Sequence, residues 1–177
     1  MNPPIPIRFD PVARLLHWTM AFLLIGMVML GFYAANLKPD DPIAPRLFHW
    51  HRSLGVFAFV LAVIRLSWRL RHPLPPFHAA MPEWERRDTV RIERGLYLLI
   101  LVIPITGYLA STADGKAVSV FGLELPALLE ADKARGTALA AAHFGTALLL
   151  TTLATLHILF VFKHHHLDRD GLLSRMW

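Results

Sequence analysis

Two histidines lie inside one long apolar stretch near the C-terminal end of the chain. This stretch, residues 138–162, carries no formal charge and is long enough to cross a bilayer as one helix. His143 and His157 are 14 residues apart, so their side chains would leave a helix within about 40° of each other and about 21 Å apart along its axis. Ionisable side chains are costly inside a membrane and usually serve a function there. Because a neutral imidazole is a common metal ligand, the pair indicates metal or redox chemistry.

The composition is that of an integral membrane protein. The chain has 177 residues, of which 55% are hydrophobic, and its mean hydropathy is +0.44. It contains no cysteine, which excludes disulfides, thiolate-bound zinc or iron–sulfur clusters, and covalently attached haem. The net charge of +5 is typical of basic membrane-protein loops. The sequence has no basic stretch with interleaved aromatic residues, so nucleic-acid binding is not expected. It also has no phosphate-binding loop and no nucleophile motif.

Apolar runs predict four membrane spans within a single domain of residues 1–177. The spans cover about residues 13–35, 51–68, 95–112 and 138–162. Residues 72–88 are rich in proline and charge and predict a surface loop. Residues 113–136 predict a second exposed connection, with a turn or short surface element at VFGLELP. The predicted fold is all-α, an integral membrane four-helix bundle.

The distribution of lysine and arginine predicts the orientation. With the N-terminus in the cytoplasm, twelve of these residues lie on the inner side and six on the outer side. Since cytoplasmic loops carry the excess of positive charge, both termini are expected in the cytoplasm.

This topology groups four histidines into two pairs at matched depth. His17 and His157 lie near the inner face, and His51 and His143 lie near the outer face. Each pair can bind an iron from two sides, which gives a low-spin haem b with no open coordination position and suits electron transfer. The alternative is that each histidine only forms hydrogen bonds between helices.

Neighbouring residues refine this hypothesis. His49 and His51 are about 200° apart on a helix, so only one of them can face the bundle. His51 is preferred because Gly55 follows four residues later and leaves room for a flat macrocycle, and Gly145 is a similar candidate beside His143. Arg65 either neutralises a haem propionate or is a snorkelling cation at the end of its span.

Three further histidines, His164, His165 and His166, follow the last span. We expect them to lie at the interface between membrane and water, with a metal site as the less favoured alternative.

Several motifs together resemble the bacterial cytochrome b561 family along nearly the whole chain. They are the early LLHW, HRSLGVFAFVLAVIRLSWRLRHPLPP, LYLLILVIPITGYL, VFGLELP, and the last two span histidines followed by HHHLDRDGLLSRM. The resemblance implies a four-helix, dihaem cytochrome of the bacterial inner membrane. It also implies that the matching residues are the axial haem ligands, namely His17, His51, His143 and His157. One difference is Glu93, at a position where family members often carry a histidine.

The resemblance implies transmembrane electron transfer to or from the quinone pool. One branch resembles superoxide oxidase, which takes electrons from superoxide at the outer face and passes them to ubiquinone. Another branch resembles the cytochrome b subunit of hydrogenases and formate dehydrogenases, which relays electrons from a protein partner. The short loops favour a stand-alone oxidoreductase. A non-enzymatic membrane protein with structural histidines remains the alternative of a different class.

Overall fold

A computed structural model describes residues 8–38, 40–72, 74–77, 81–120 and 122–177. It contains four long helices, two short strands and two short helical turns near the C-terminus. The long helices are α1 (Pro11–Ala35), α2 (Ala44–Arg71), α3 (Glu83–Ala113) and α4 (Lys133–Lys163). All four are long and apolar enough to cross a membrane. The prediction of an all-helical membrane bundle is therefore confirmed.

The helices extend well beyond the apolar stretches that identify them. α2 begins at Ala44, seven residues before His51, because Pro45 suits the first turn of a helix and no helix breaker follows it. α3 begins at Glu83, so the prediction of a loop over residues 72–88 is wrong at its C-terminal end. Glutamate and arginine form helices well, and the acidic residues of the first turn complement the helix dipole.

A small β-hairpin forms the connection between α3 and α4. Strand β1 (Val118–Val120) pairs antiparallel with strand β2 (Leu123–Leu125), and Gly122 in the turn has a φ of +87°, a conformation that favours glycine. The buried Ser53 hydroxyl donates a hydrogen bond to the Ser119 carbonyl, which attaches the hairpin to α2. This confirms the short surface element predicted at VFGLELP. We call this end of the bundle the hairpin end.

The first described residues, from Arg8 on, and the C-terminus lie at the opposite end, which we call the termini end. After α4, a π-helical turn (His164–Asp168) and a 3₁₀ turn (Leu173–Met176) carry the chain back across α1. The Trp18 indole donates a hydrogen bond to the Met176 carbonyl at 2.9 Å, and the Phe9 amide donates one to the Arg175 carbonyl at 3.0 Å. The C-terminal segment therefore covers the start of α1.

The buried core occupies the middle of the bundle and draws on all four helices. It consists of Met20, Leu61, Ala62, Leu99, Ile100 and Leu150. Close helix packing joins α1 to α2, α2 to α3 and α3 to α4. α4 meets α1 and α2 largely through ring side chains, including histidines. Many large apolar side chains on the outside are exposed, Phe22 and Met29 at 68% each, as expected where lipid is the solvent.

A buried glycine sets the distance between the end of α3 and the start of α4. A Cβ atom at Gly136 would lie 3.2 Å from the backbone nitrogen of Asp114. Backbone cannot move aside as a flexible side chain does. We therefore expect Gly136→Ala to lower the free energy of unfolding by about 1–3 kcal/mol through overpacking, as a lower melting temperature of the purified protein would report. Gly26→Ala is the control, because a Cβ atom there meets nothing within 4 Å. Equal melting temperatures for the two variants would contradict this packing.

Candidate functional site

The first pair of facing histidines lies at the termini end of the bundle. His17 on α1 and His157 on α4 have ring centroids 6.4 Å apart, with an angle of 56° between the ring planes. The Arg65 guanidinium lies 2.9 Å from His17 Nδ1. Because arginine can only donate, Nδ1 is the acceptor, and the proton of the neutral His17 ring is on Nε2.

The second pair lies toward the hairpin end. His51 on α2 and His143 on α4 have ring centroids 6.1 Å apart, with an angle of 88° between the ring planes. His143 Nδ1 lies 2.9 Å from the Ile103 carbonyl oxygen. A carbonyl can only accept, so Nδ1 carries the proton and Nε2 keeps a free lone pair. In the part of the chain that the structure describes, the buried Nδ1 of His51 has no hydrogen-bond partner, which is costly unless another group uses the ring.

The structure therefore brings together the four histidines that the sequence singled out, in the two expected pairs. His49 points elsewhere, with its Nδ1 3.5 Å from the Ser119 hydroxyl of the hairpin. Two metal–imidazole bonds of about 2.0–2.1 Å place ligating nitrogens on opposite sides of an ion about 4 Å apart. The ring centroids lie behind these nitrogens, so the observed separations suit two imidazoles that share one ion.

Two glycines support the rings at the hairpin end. A Cβ atom at Gly31 on α1 would lie 2.9 Å from His51 Cε1, and one at Gly107 on α3 would lie 2.8 Å from His143 Cε1. Only glycine lets these rings lie against the backbone of the neighbouring helix. Gly145 has no atom within 4 Å of a Cβ placed there, and at Gly55 such an atom meets only the Met27 methyl, at 3.7 Å. The glycines that contact the histidines are thus on the neighbouring helices.

Sequence reasoning missed Gly31, Gly107 and the Ile103 carbonyl. Gly31 and Gly107 could have been suspected because each is a glycine in an apolar helix. Which glycine faces which histidine ring, however, depends on how the helices pack. The carbonyl contact has no signal in side-chain types, because it is made by the backbone.

A polar cluster lies beside the pair at the termini end. The Arg65 guanidinium lies 5.1 Å from the centroid of the Tyr97 ring. Glu93 accepts two hydrogen bonds from Arg69, at 3.0 and 3.3 Å, in the two-point geometry that suits an arginine and a carboxylate. These residues line a small cleft together with Phe9, Ala13, Leu16, Trp68 and Met176. In this chain Glu93 is therefore the ion-pair partner of Arg69.

The sequence-family model for prokaryotic cytochrome b561 matches residues 8–177 of this chain. The chain belongs to the prokaryotic cytochrome b561 family. It is 34% identical over 175 residues to cytochrome b561 homolog 2 of Escherichia coli (strain K12), an alignment that covers 97% of this chain and 92% of the relative. It is 28% identical over 169 residues to a Yersinia pestis protein named "Probable superoxide oxidase CybB", with 91% and 90% covered. As a cytochrome b561, it is a multi-pass membrane cytochrome of electron transport.

Membership of the cytochrome b561 family implies haem b, and the residues present fit it. Four buried or half-buried imidazoles face one another in pairs at a separation that suits a shared ion. His143 holds the tautomer that leaves Nε2 free, as metal-binding histidines do when the other nitrogen donates to a carbonyl. Without cysteine, histidine is the fitting axial ligand in this chain.

A substitution at Gly107 tests whether this glycine leaves the room that the His143 ring needs. Gly107→Ala would push the His143 ring away from its place against α3. Overpacking costs about 1–3 kcal/mol, and 1.4 kcal/mol is tenfold in affinity. We expect haem affinity at this site to fall about tenfold, measured as haem bound per chain after purification. Gly26→Ala, whose added methyl group has open space, should keep the wild-type haem content. Full haem content in Gly107→Ala would contradict the role of this glycine.

Proposed function

We propose that this cytochrome binds two haem b groups, one between His17 and His157 and one between His51 and His143, and carries electrons across the inner membrane to the quinone pool. The observation that carries the proposal is the pair of facing imidazoles at each end of the same helix. The two sites are about 21 Å apart along α4, at about 1.5 Å per residue. With twelve basic residues at the termini end and six at the hairpin end, we propose that both termini are cytoplasmic.

Haem b held between the paired imidazoles would supply a one-electron iron couple. The chain's own residues orient the ligands and exclude water. The Ile103 carbonyl holds the His143 ring in one tautomer. Leu150 lies seven residues from each of His143 and His157 and belongs to the buried apolar core between the two sites. This core keeps water and protons out of the middle of the bundle, so that electrons cross without an accompanying proton leak.

Arg65 has a distinct part at the termini end. Its hydrogen bond to His17 Nδ1 leaves the ring proton on Nε2, the nitrogen that would bind iron when Nδ1 is the donor. His17 could bind iron through Nε2 only if Arg65 released Nδ1. The guanidinium, which already lies beside Tyr97, would then be free to neutralise a propionate.

For the electron donor we propose superoxide, at the hairpin end. One relative of this chain is named a probable superoxide oxidase. Lys116 and Asp114 form an ion pair at 2.6 Å, and the hydrogen bond from Lys116 lowers the pKa of Asp114, so this pair stays ionised without net charge. Arg135 is likewise paired with Asp132, at 3.7 Å. Arg52 is adjacent to His51, and its buried Nε has no hydrogen-bond partner among the described residues, so we take it as the cation that attracts an anion.

For the acceptor we propose ubiquinone, in the cleft lined by Arg69, Glu93 and Tyr97 at the termini end. Two superoxide anions each give up one electron and leave as oxygen. One ubiquinone takes up the two electrons and two protons to become ubiquinol. The cleft has apolar walls and polar side chains, the combination that ligand sites use. Its cavity of about 30 Å³ would have to widen, by movement of the Arg69–Glu93 pair, to admit a quinone ring.

Pairwise histidine substitutions test the proposed ligands. We expect two haems b per wild-type chain by pyridine haemochrome assay. His51→Ala, His143→Ala and the double variant should each retain one haem, because either substitution removes a ligand of the same iron. His143→Ala combined with His157→Ala should retain none. His49→Ala is the matched control and should retain two. Loss of haem in His49→Ala together with full content in His51→Ala would contradict the assignment, and a colourless wild-type protein would leave the histidines a structural role.

Charge substitution at the hairpin end tests the proposed donor. Arg52→Gln should slow reduction of the haems by superoxide about three- to tenfold at low salt, and by less at high salt, because it removes attraction for an anion. Arg135→Gln, already paired with Asp132, should stay within about twofold of the wild type. Stopped-flow absorption with ubiquinone present measures both rates. Wild-type haems that superoxide fails to reduce, in a protein that copurifies with a large iron–sulfur subunit, would instead favour a subunit of a larger dehydrogenase.

A further inference from the structure

A buried charged cluster lies at the termini end, apart from both histidine pairs. Glu85 in the first turn of α3 is 3% exposed, and His164 directly after α4 is 1% exposed. Asp168 and Asp170 approach the same imidazole from the C-terminal turn, at 3.2 and 2.6 Å from Nδ1. Neither the proposed electron transfer nor the quinone cleft uses these residues.

The hydrogen bonding of His164 leaves one nitrogen without a partner. Nδ1 lies 2.6 Å from the Asp170 carboxylate, which accepts, so Nδ1 carries the proton of the neutral ring. Nε2 then has a free lone pair, is fully buried and has no hydrogen-bond partner among the described residues. It faces the Glu85 carboxylate, with Oε2 at 3.4 Å. Two acceptors that face each other inside a protein are unfavourable unless a proton or a metal cation lies between them.

The distance between these two atoms matches the spacing of metal ligands. Atoms bound at about 2.0–2.1 Å to a tetrahedral zinc ion are about 3.4 Å apart, which is the separation of His164 Nε2 and Glu85 Oε2. One ligand atom from each of Glu85, His164 and Asp168 lies within 4.8 Å of the others. The Asp168 carboxylate lies 3.2 Å from Nδ1, so its partly exposed side chain would have to rotate to reach an ion at Nε2. The carboxylate of Asp170 on the far side of the imidazole completes the carboxylate–histidine arrangement that orients metal-binding histidines.

The charges favour a divalent cation. Three carboxylates surround the imidazole. Lys163 pairs with two of them, with Nζ on Glu85 and 2.7 Å from Asp168, and Arg175 interacts electrostatically with Asp170. With a neutral His164 the three carboxylates outnumber these two cations, which is costly at a buried site. The side chains of Lys163 and Asp168 are 36% and 33% exposed, so an ion can enter between them.

We propose that His164, Glu85 and Asp168 bind one divalent transition-metal ion of the zinc class, with Asp170 as the residue that positions the imidazole. Imidazole and carboxylate ligands together suit zinc. The ion would join the start of α3 to the end of α4, while Lys163 turns away from Asp168. None of these residues is a proposed haem ligand, so the zinc proposal and the proposed function can each fail without the other.

Zinc binding to the haem-loaded, full-length protein in detergent tests the site. After treatment with a chelator, equilibrium dialysis against zinc chloride should show one saturable zinc ion per chain. Glu85→Gln, Asp168→Asn and His164→Ala should each weaken binding by about tenfold or more, since the loss of even an outer partner has this effect. His165→Ala is the matched control, because His165 is an exposed neighbour, and it should bind zinc as the wild type does.

The haem spectrum reports whether each variant folds. If His164→Ala fails to fold, Glu85→Gln and Asp168→Asn carry the test. Absence of saturable zinc binding in the wild type would overturn the proposal. So would unchanged binding in Glu85→Gln and Asp168→Asn together with a loss in His165→Ala, because zinc would then be bound by the exposed histidines.

Discussion

The organisation of this bundle depends on the cost of placing an imidazole in an apolar membrane interior. α4 carries two such rings 14 residues apart, and each needs a partner at its own depth because an unsatisfied polar group is expensive there. The partners come from two different helices, His17 on α1 and His51 on α2. α1 and α2 must therefore lie side by side facing α4. The close packing of α1 with α2 and of α3 with α4 is consistent with this side-by-side placement.

The remaining polar features lie toward the two ends, where they can be satisfied. At the hairpin end, Ser53 attaches the hairpin, and ion pairs neutralise Lys116 and Arg135. At the termini end, the C-terminal turns cover α1, and Glu85 and His164 connect α3 to the end of α4. Between them lies a cluster of buried apolar side chains from all four helices. This division suits a protein that exchanges electrons and protons at its surfaces and passes only electrons through its centre.

Much of this arrangement is predictable from the sequence because it follows from periodicity and length. Four apolar runs predict four spanning helices, and their alternation predicts which histidines share a depth; the structure brings these rings within 6.4 Å. The helix ends are less predictable, since polar helix formers extend α3 back to Glu83 outside the apolar run. The contacts of Gly31 and Gly107 depend on helix rotation, and the partnership of Glu85 with His164 joins residues far apart in sequence. No local pattern encodes such contacts.

The measurement that tests the central claim most directly is low-temperature electron paramagnetic resonance of the oxidised, purified protein, calibrated against its haem content. The proposed cytochrome has two irons, each with histidine on both sides. The ring planes meet at 56° in one pair and at 88° in the other, so we expect two distinguishable low-spin ferric signals that together account for all the haem. A dominant high-spin ferric signal, or one low-spin signal that accounts for all the haem with one haem per chain, would contradict two bis-histidine sites at the two ends of the bundle.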